Sequence, residues 1–423
     1  MDPDSQFRFP PPEFETGHQL PVTAMPEARA ILLQYADIGV LIAALIFASW
    51  LIYKRRSRKG VVALSLFSLM YFGFWRKGCV CSIGSLQNVA YAFSNPDYAL
   101  PIGVLAFFVL PLLVALFAGR TFCAGVCPHG ALQDLVVLRP LKVPGWLEQG
   151  LGVLPYIYLG AGVLFAATGS GFIICEYDPF VTVFRMNGRV LMVGAGIALL
   201  VLGVFVGRPY CRFLCPYGAL LKMVSGLSKW RVRVTPDYCT QCRLCESSCP
   251  FGALREPESS GAENLNAERR RLTWMLLFSP LLIAAGAGLG WGFSGVAARM
   301  HPTVKLAELF VREQGSPQKV GALAPDDFAL ERARQNPKEI LIQASQIQQR
   351  FFIASSIFGG WVGLIAAIKL VNLSIRHRRS DYEPERGSCL ACARCFEFCP
   401  NELIRHGALA AALPQTPAAS SRS

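Results

Sequence analysis

GRTFCAGVCPHGAL (Gly119–Leu132) and GRPYCRFLCPYGAL (Gly207–Leu220) align without a gap as G-R-x-[FY]-C-x3-C-P-x-G-A-L, and each follows a long apolar run. Cys123 and Cys127 therefore correspond to Cys211 and Cys215, a pair at the end of each of two hydrophobic segments. Two segments that run in the same direction and end alike form a parallel repeat, related by an axis near the membrane normal. The i, i+4 spacing sets two thiols on one helical face. Two such faces offer four sulfurs, the number that an iron–sulfur cluster or a tetrahedral metal takes. The alternative is that these cysteines are reduced and buried, packing as small hydrophobes; their duplication favours a metal or redox site. CSIGSL from Cys81 and CPFGAL from Cys249 echo the same ending. Gly and Ala there permit close backbone approach, and a new helix is expected to begin next to the sulfur.

The composition around these motifs is that of an integral membrane protein: of 423 residues, 53% are hydrophobic and 16% charged, too apolar for an ordinary soluble chain. Seven segments approach or exceed the roughly 20 apolar residues needed to cross a hydrocarbon core: 36–53, 60–76, 98–119, 152–174, 190–207, 272–292 and 351–372. No basic region followed by an early apolar stretch opens the chain, so no cleavable signal peptide is expected. The formal net charge is +13, and its location reads as topology. Lys54, Arg55, Arg56, Arg58 and Lys59 follow the first span, a basic series runs from Arg208 to Arg271, and Arg376, Arg378 and Arg379 follow the last. By the positive-inside rule these segments are cytoplasmic. The acidic N-terminal tail and the loop 293–350 then fall on the periplasmic side of a bacterial cytoplasmic (inner) membrane. Basic stripes interleaved with aromatics are missing, so the expected partner is the lipid bilayer and not nucleic acid.

Fifteen cysteines, an odd number on both predicted sides of a membrane, make a poor disulfide framework. CTQCRLCESSCP supplies Cys239, Cys242, Cys245 and Cys249 before Pro250, and CLACARCFEFCP supplies Cys389, Cys392, Cys395 and Cys399 before Pro400. Both are C-x2-C-x2-C-x3-C-P, a spacing in which three thiolates wrap one cubane and the fourth turns toward another. One [4Fe-4S] cluster is expected on Cys239, Cys242, Cys245 and Cys399, the second on Cys389, Cys392, Cys395 and Cys249. A zinc site would need two separated C-x-x-C knuckles. Two predicted spans separate the motifs, so both return to one side and can dock together. Three cysteines remain on the predicted outer side: Cys79 and Cys81 in GCVCSIG, and Cys175 in IICEYDP. A disulfide from Cys175 to Cys79 or Cys81 and an electron-exit or metal site are equally open readings.

The paired C-x3-C-P motifs, the loop GCVCSIGSLQN, the stretch RMHPTVKLAE and the two C-x2-C-x2-C-x3-C-P runs together resemble NosR/NirI-type membrane polyferredoxins over roughly residues 36–410. They resemble NapH-type proteins more distantly. The resemblance implies electron transfer across or out of the cytoplasmic membrane toward a periplasmic redox enzyme, which for NosR is the nitrous oxide reductase system. It also implies a quinol as a candidate electron source. NosR-type proteins usually begin with a large periplasmic flavin domain, whereas here the first span starts near residue 36 and no S-G-A-T signature occurs. Covalent FMN is accordingly not expected on this chain, and a separate flavoprotein is the expected supplier.

The expected fold is an all-α polytopic membrane bundle of about seven transmembrane helices in two similar halves, with a small α+β two-cluster ferredoxin-like cytoplasmic domain. It divides into a periplasmic tail (1–35), a membrane domain with the duplicated motifs (36–230), a first ferredoxin half (231–260) and a transmembrane helix (272–292). A periplasmic loop (293–350), a further transmembrane helix (351–372), the second ferredoxin half (380–410) and a disordered tail (411–423) follow. The expected function is an electron relay between quinol or cytoplasmic donors and a periplasmic acceptor. An accessory or maturation factor, or a redox-responsive regulator, for a periplasmic metalloenzyme is the alternative. Among isolated residues, His129 reads as filling an aromatic-sized slot, His301 as an interfacial cap, and Glu176 and Asp178 as solvated loop charges. Arg120 and Arg208 read as reaching headgroups or offsetting the charge of thiolate-bound iron.

Overall fold

The computed structural model describes residues 30–78, 81–186, 189–234, 239–257, 265–315, 337–374 and 381–405. Helices dominate it. Among the described residues, four are long and apolar enough to cross a membrane: Ile31–Arg55, Gly145–Ala167, Arg269–Ala298 and Pro337–Ser374. The bent pair Pro179–Arg185 and Val190–Phe205 makes a fifth if taken as one span. The chain is thus a multi-pass membrane protein, with four to five candidate spans among the described residues where seven were expected of the whole chain.

The differences have physical causes. Segment 60–76 becomes a helix, Arg58–Ser68, that continues as a π-helix, Leu69–Trp75. It buries Val61, Leu64, Ser65 and Ser68, and Ser68 donates a 3.0 Å hydrogen bond to the Gly125 carbonyl. Its small polar residues face protein, so it packs as an amphipathic helix. Segment 98–119 yields Ile102–Ala118, 17 residues, about 25 Å at 1.5 Å per residue against a hydrocarbon core of about 30 Å. Gly119, at φ 62°, stops it, a left-handed position that suits glycine. Helical structure in the 152–174 region begins earlier, at Gly145, and ends at Ala167 before Gly169, at φ 75°. The expected loop 293–350 contains a helix, Pro302–Gly315, and the start of the Pro337–Ser374 helix. The tail boundary at residue 36 shifts to Ile31, where the first helix begins; residues 1–29 and the expected disordered tail lie outside the described residues.

The two repeats clasp each other. The backbone N–H groups of Lys229 and Trp230, which follow the second copy, donate to the Leu116 and Phe117 carbonyls at the end of the first copy's apolar helix, at 3.1 and 2.8 Å. Arg139 and Leu141, which follow the first copy, donate to the Val204 and Phe205 carbonyls of the second, at 3.1 and 2.7 Å. Each helix end would otherwise leave carbonyls without partners. Reciprocal capping therefore builds the pseudo-symmetric core.

The helices Arg269–Ala298 and Pro337–Ser374 form a long hairpin packed through glycine. A Cβ on Gly286 would strike the Gly359 carbonyl oxygen, one on Gly290 the Ser355 carbonyl, and one on Gly363 the Leu282 carbonyl. Small residues four apart on both helices let the backbones touch, the usual substitute for hydrophobic attraction where lipid is the solvent. The hairpin leans on the Leu154–Ala167 helix, where Trp361 Nε1 donates to the Tyr156 carbonyl at 2.9 Å.

Candidate functional site

The two C-x2-C-x2-C-x3-C-P segments meet although the hairpin separates them in sequence. Strand β1 (Leu254–Arg255) pairs antiparallel with β2 (Glu383–Pro384), in the register Leu254↔Pro384 and Arg255↔Glu383. Helices Leu244–Ser248 and Arg394–Phe398 pack beside them. Among the described residues this two-residue pair is the strand content. One cavity is lined by Cys239, Cys242, Cys245 and Cys399, with Val234 and Tyr382. Another is lined by Cys249, Cys389, Cys392 and Cys395, with Phe251 and Leu390. The grouping is crossed: the fourth cysteine of each run joins the first three of the other.

The loops fit an anionic cluster. Gln241 and Arg243 in the first run, and Ala391 and Ala393 at the equivalent positions of the second, adopt left-handed backbone at φ 52, 62, 55 and 64°. Residues with side chains adopt it only occasionally, and such kinks turn successive N–H groups toward a concavity that holds negative charge. The Ala391 N–H already points at Cys389 Sγ, at 3.4 Å. Burial pushes the Cys389 thiol up to about 12, and burial followed by the neighbouring Cys239 and Cys242 thiols pushes Cys245 up to about 11. Such thiols stay neutral near pH 7 unless bound metal offsets their charge.

The repeat cysteines Cys123, Cys127, Cys211 and Cys215 are all buried in the core between the two copies. Cys81, Cys127 and Cys215 stand at the N-caps of the helices Ser82–Ser94, Pro128–Leu135 and Pro216–Gly226. In the last, Cys215 Sγ accepts the Gly218 N–H at 3.2 Å. The G-A-L ending has a steric basis: a Cβ on Gly130 would sit 2.9 Å from the Cys123 carbonyl, and one on Gly218 3.2 Å from the Cys211 carbonyl. Each glycine lets its helix start against the first cysteine of its pair. Cys211 Sγ accepts from Gln133 Nε2 at 3.2 Å. Among the described residues no three His, Cys, Asp or Glu side chains converge as ligands of a single ion.

Asp134, absent from the sequence reading, ties these parts together. Arg208 holds it through Nε and Nη2 at 3.0 and 2.9 Å, and Arg58 through Nη2 at 2.8 Å. Arg208 also donates to the Cys123 carbonyl, and Arg58 to the Cys392 carbonyl at 3.0 Å. Although burial alone would raise it, the Arg208 and Arg58 guanidiniums hold the Asp134 carboxyl well below its usual range. Arg208 is 0% exposed, so it does not reach headgroups, and Asp134 takes up its charge. Arg120 is buried too, with Nη2 3.9 Å from Cys123 Sγ and Nη1 donating to the Gly387 carbonyl at 3.3 Å. Arg56, read in sequence as a topology signal, pairs with the buried Glu402 at 2.9 Å and lies over the Phe396 ring at 3.9 Å.

Toward the other end of the core, Cys127 and Cys81 line one cavity. The Cys175 N–H donates to Gln87 Oε1 at 3.1 Å, and its sulfur lies beside Gly84. Cys81 and Cys175 are free thiols; Cys79 lies outside the described residues. Asp178, expected as a solvated charge, is 2% exposed. It accepts from Tyr210 Oη at 2.8 Å and lies 3.3 Å from His129 Nε2. His129 does fill an aromatic slot, stacked on Tyr210 and edge-on to Phe180 and Phe184, but it carries this buried partner as well. Glu176 stays at the surface and pairs with Arg189 at 3.0 Å. His301 caps the Pro302–Gly315 helix, its Nδ1 accepting the Thr303 N–H at 3.1 Å.

A 4Fe-4S binding domain family matches residues 100–144 and 189–235, the two copies of the repeat, and a second 4Fe-4S binding domain family matches residues 231–254. Protein NirI of Paracoccus denitrificans is 32% identical over 216 residues, 47% of this chain and 31% of that protein. Regulatory protein NosR of Pseudomonas aeruginosa is 28% identical over 283 residues, 60% of this chain and 39% of its own length. The chain is similar to NosR/NirI-type polyferredoxins. The methylamine utilization ferredoxin-type protein MauN of Paracoccus denitrificans is 34% identical over 178 residues, 40% of this chain and 62% of MauN. The chain thus spans about a third to three-fifths of these relatives' lengths. No solved structure matches it. The matched 4Fe-4S binding families and these relatives support an iron–sulfur protein of a membrane, with an electron-transfer or regulatory function.

Proposed function

We propose that this chain relays electrons along a ladder of cysteines, from the paired C-x2-C-x2-C-x3-C-P motifs through the repeat core to Cys81 and Cys175. Cys239, Cys242, Cys245 and Cys399 hold one [4Fe-4S] cluster; Cys389, Cys392, Cys395 and Cys249 hold the other. A bound cluster supplies one-electron exchange at a potential set by burial, charge and hydrogen bonds to its sulfurs. The observation that carries the reading is continuity. Phe251 and Leu390 line the cavity of the second cysteine set and also the cavity that reaches Cys211 and Arg120; Cys127, in the same buried core as Cys211, shares a separate cavity with Cys81. Cys123, Cys127, Cys211 and Cys215 form the middle rung as a further iron–sulfur or metal site. Asp134, Arg58 and Arg208 fix the loops on either side of it.

In this reading the ferredoxin module faces the cytoplasm and the Cys175 end faces the periplasm. A quinol or cytoplasmic donor feeds the ladder, and a periplasmic redox enzyme or flavoprotein drains it. Iron, acid-labile sulfide and EPR on the anaerobically purified chain, with and without Ser at positions 123, 127, 211 and 215, test the middle rung. Two cubanes hold about eight iron atoms; the wild type is expected to exceed that count and the variant to match it. Equal iron in both breaks the ladder and sinks the relay. C399S is expected to perturb the cluster of Cys239, Cys242 and Cys245 and spare that of Cys389; the reverse pattern overturns crossed ligation. The name Regulatory protein NosR favours a second reading, a redox-responsive regulator. Reduction of the clusters by a quinol at catalytic rates favours the relay, and its failure favours the regulator.

A further inference from the structure

One cavity lies where the repeat core, the second ferredoxin half and the ends of two membrane helices meet. Arg120, Arg212 and Lys222 line it together with the acid Glu148, and Cys211, Tyr156 and Ser388 are among the other wall residues. Lys369 adds a further cation: its Nζ lies where a Cβ on Gly152, also in the wall, would stand 3.2 Å away. The acids nearby are already engaged. Glu148 pairs with Arg212 at 2.6 Å and Glu385 with Arg255 at 3.1 Å. Among the described residues no carboxylate is within ion-pair distance of Arg120, Lys222 or Lys369. Arg120 is 6% exposed, and its Nε is buried without a hydrogen-bond acceptor. Cations held out of water in this way call for an anion.

The depth of the cavity limits which anion. Gly152 lies just before the apolar helix Leu154–Ala167 and Tyr156 in its first turn, and Lys369 lies in the last turns of Pro337–Ser374, so the cavity sits where these apolar helices end, near headgroup level. The Arg120 guanidinium and two ammonium groups suit a phosphate's several oxygens, and basic pockets between membrane helices bind anionic headgroups. We propose that this cavity binds a phosphate group, that of an anionic phospholipid headgroup, at the seam between the membrane core and the ferredoxin half.

The test uses the full, cluster-loaded chain in neutral detergent. Phospholipid phosphorus per chain is measured after washing, and the melting midpoint is followed in nanodiscs of phosphatidylcholine with and without phosphatidylglycerol, and in detergent with inorganic phosphate alone. Wild type is expected to retain anionic lipid and to melt higher with phosphatidylglycerol. K222Q/K369Q is expected to lose roughly thirtyfold in apparent affinity with iron content unchanged, and K59Q, outside the cavity, to behave as wild type. A response to inorganic phosphate without one to phosphatidylglycerol keeps the phosphate site and overturns the headgroup as its source. Equal retention in wild type and double variant, or no response of wild type to either phosphate source, overturns the proposal, and the second of these arms needs no variant.

Discussion

In the repeat core the helices are joined through buried charge and directed hydrogen bonds, whereas in the long hairpin they are joined through bare backbone. Asp134 with Arg58 and Arg208 links both repeats to the second ferredoxin half, but Gly286, Gly290, Gly359 and Gly363 merely bring two helices into contact. The difference follows from what each region must hold. Loops that carry thiols need fixed positions, and only directional, fully partnered polar groups supply them inside a low-dielectric core. The hairpin has only to return the chain to the side it left, so close van der Waals packing suffices. Its outer surface, with Leu277, Leu281 and Leu289 exposed, is free to face lipid.

The most damaging way to break this contrast is D134A. It strands Arg208, which has no exposure, and removing one partner of a buried pair costs about 3–5 kcal/mol. We expect loss of folded protein in detergent melts and loss of iron from both halves, since Arg58 also anchors the Cys392 loop. R56A comes next. It takes the 2.9 Å partner from Glu402 and the cation from above Phe396, worth about 2 kcal/mol for a charge-assisted contact, and it should speed iron loss to a chelator. G359L forces a side chain into the Gly286 carbonyl; overpacking costs roughly 1–3 kcal/mol. It should loosen the hairpin, read as faster cross-linking or proteolysis there, while leaving iron content near wild type. Parallel losses of iron in D134A and G359L would erase the distinction.

The smallest expected effect concerns pH. Burial, then the neighbouring Lys369 and Arg120, pulls Lys222 down to about 8, whereas an unfolded lysine titrates near 10.4. Between those values the unfolded chain binds more protons, so stability rises with pH. In anion-stripped protein the melting midpoint of wild type should gain on that of K222Q from pH 8 to pH 10. No relative gain would mean that the cations around Lys222 are already neutralised.

The membrane character and the duplicated unit were legible in the sequence, because hydropathy and repetition are local patterns. The number of spans was not. Ile102–Ala118 and Arg58–Ser68 are apolar in composition, but helix length and the choice of protein over lipid as neighbour are settled only by what packs against them. Charge showed the same limit: Arg56, Arg58 and Arg208 look like membrane-edge cations in one dimension, and their partners Glu402 and Asp134 lie far away in sequence. Asp178 beside His129 and Tyr210 likewise joins three distant segments. The sequence by itself determined which chemistry the chain carries, since ligand types and their spacing are written residue by residue. Tertiary structure alone decided which charges are buried and what they hold, because burial and pairing depend on segments that meet only when the two repeats and the two ferredoxin halves have closed on each other.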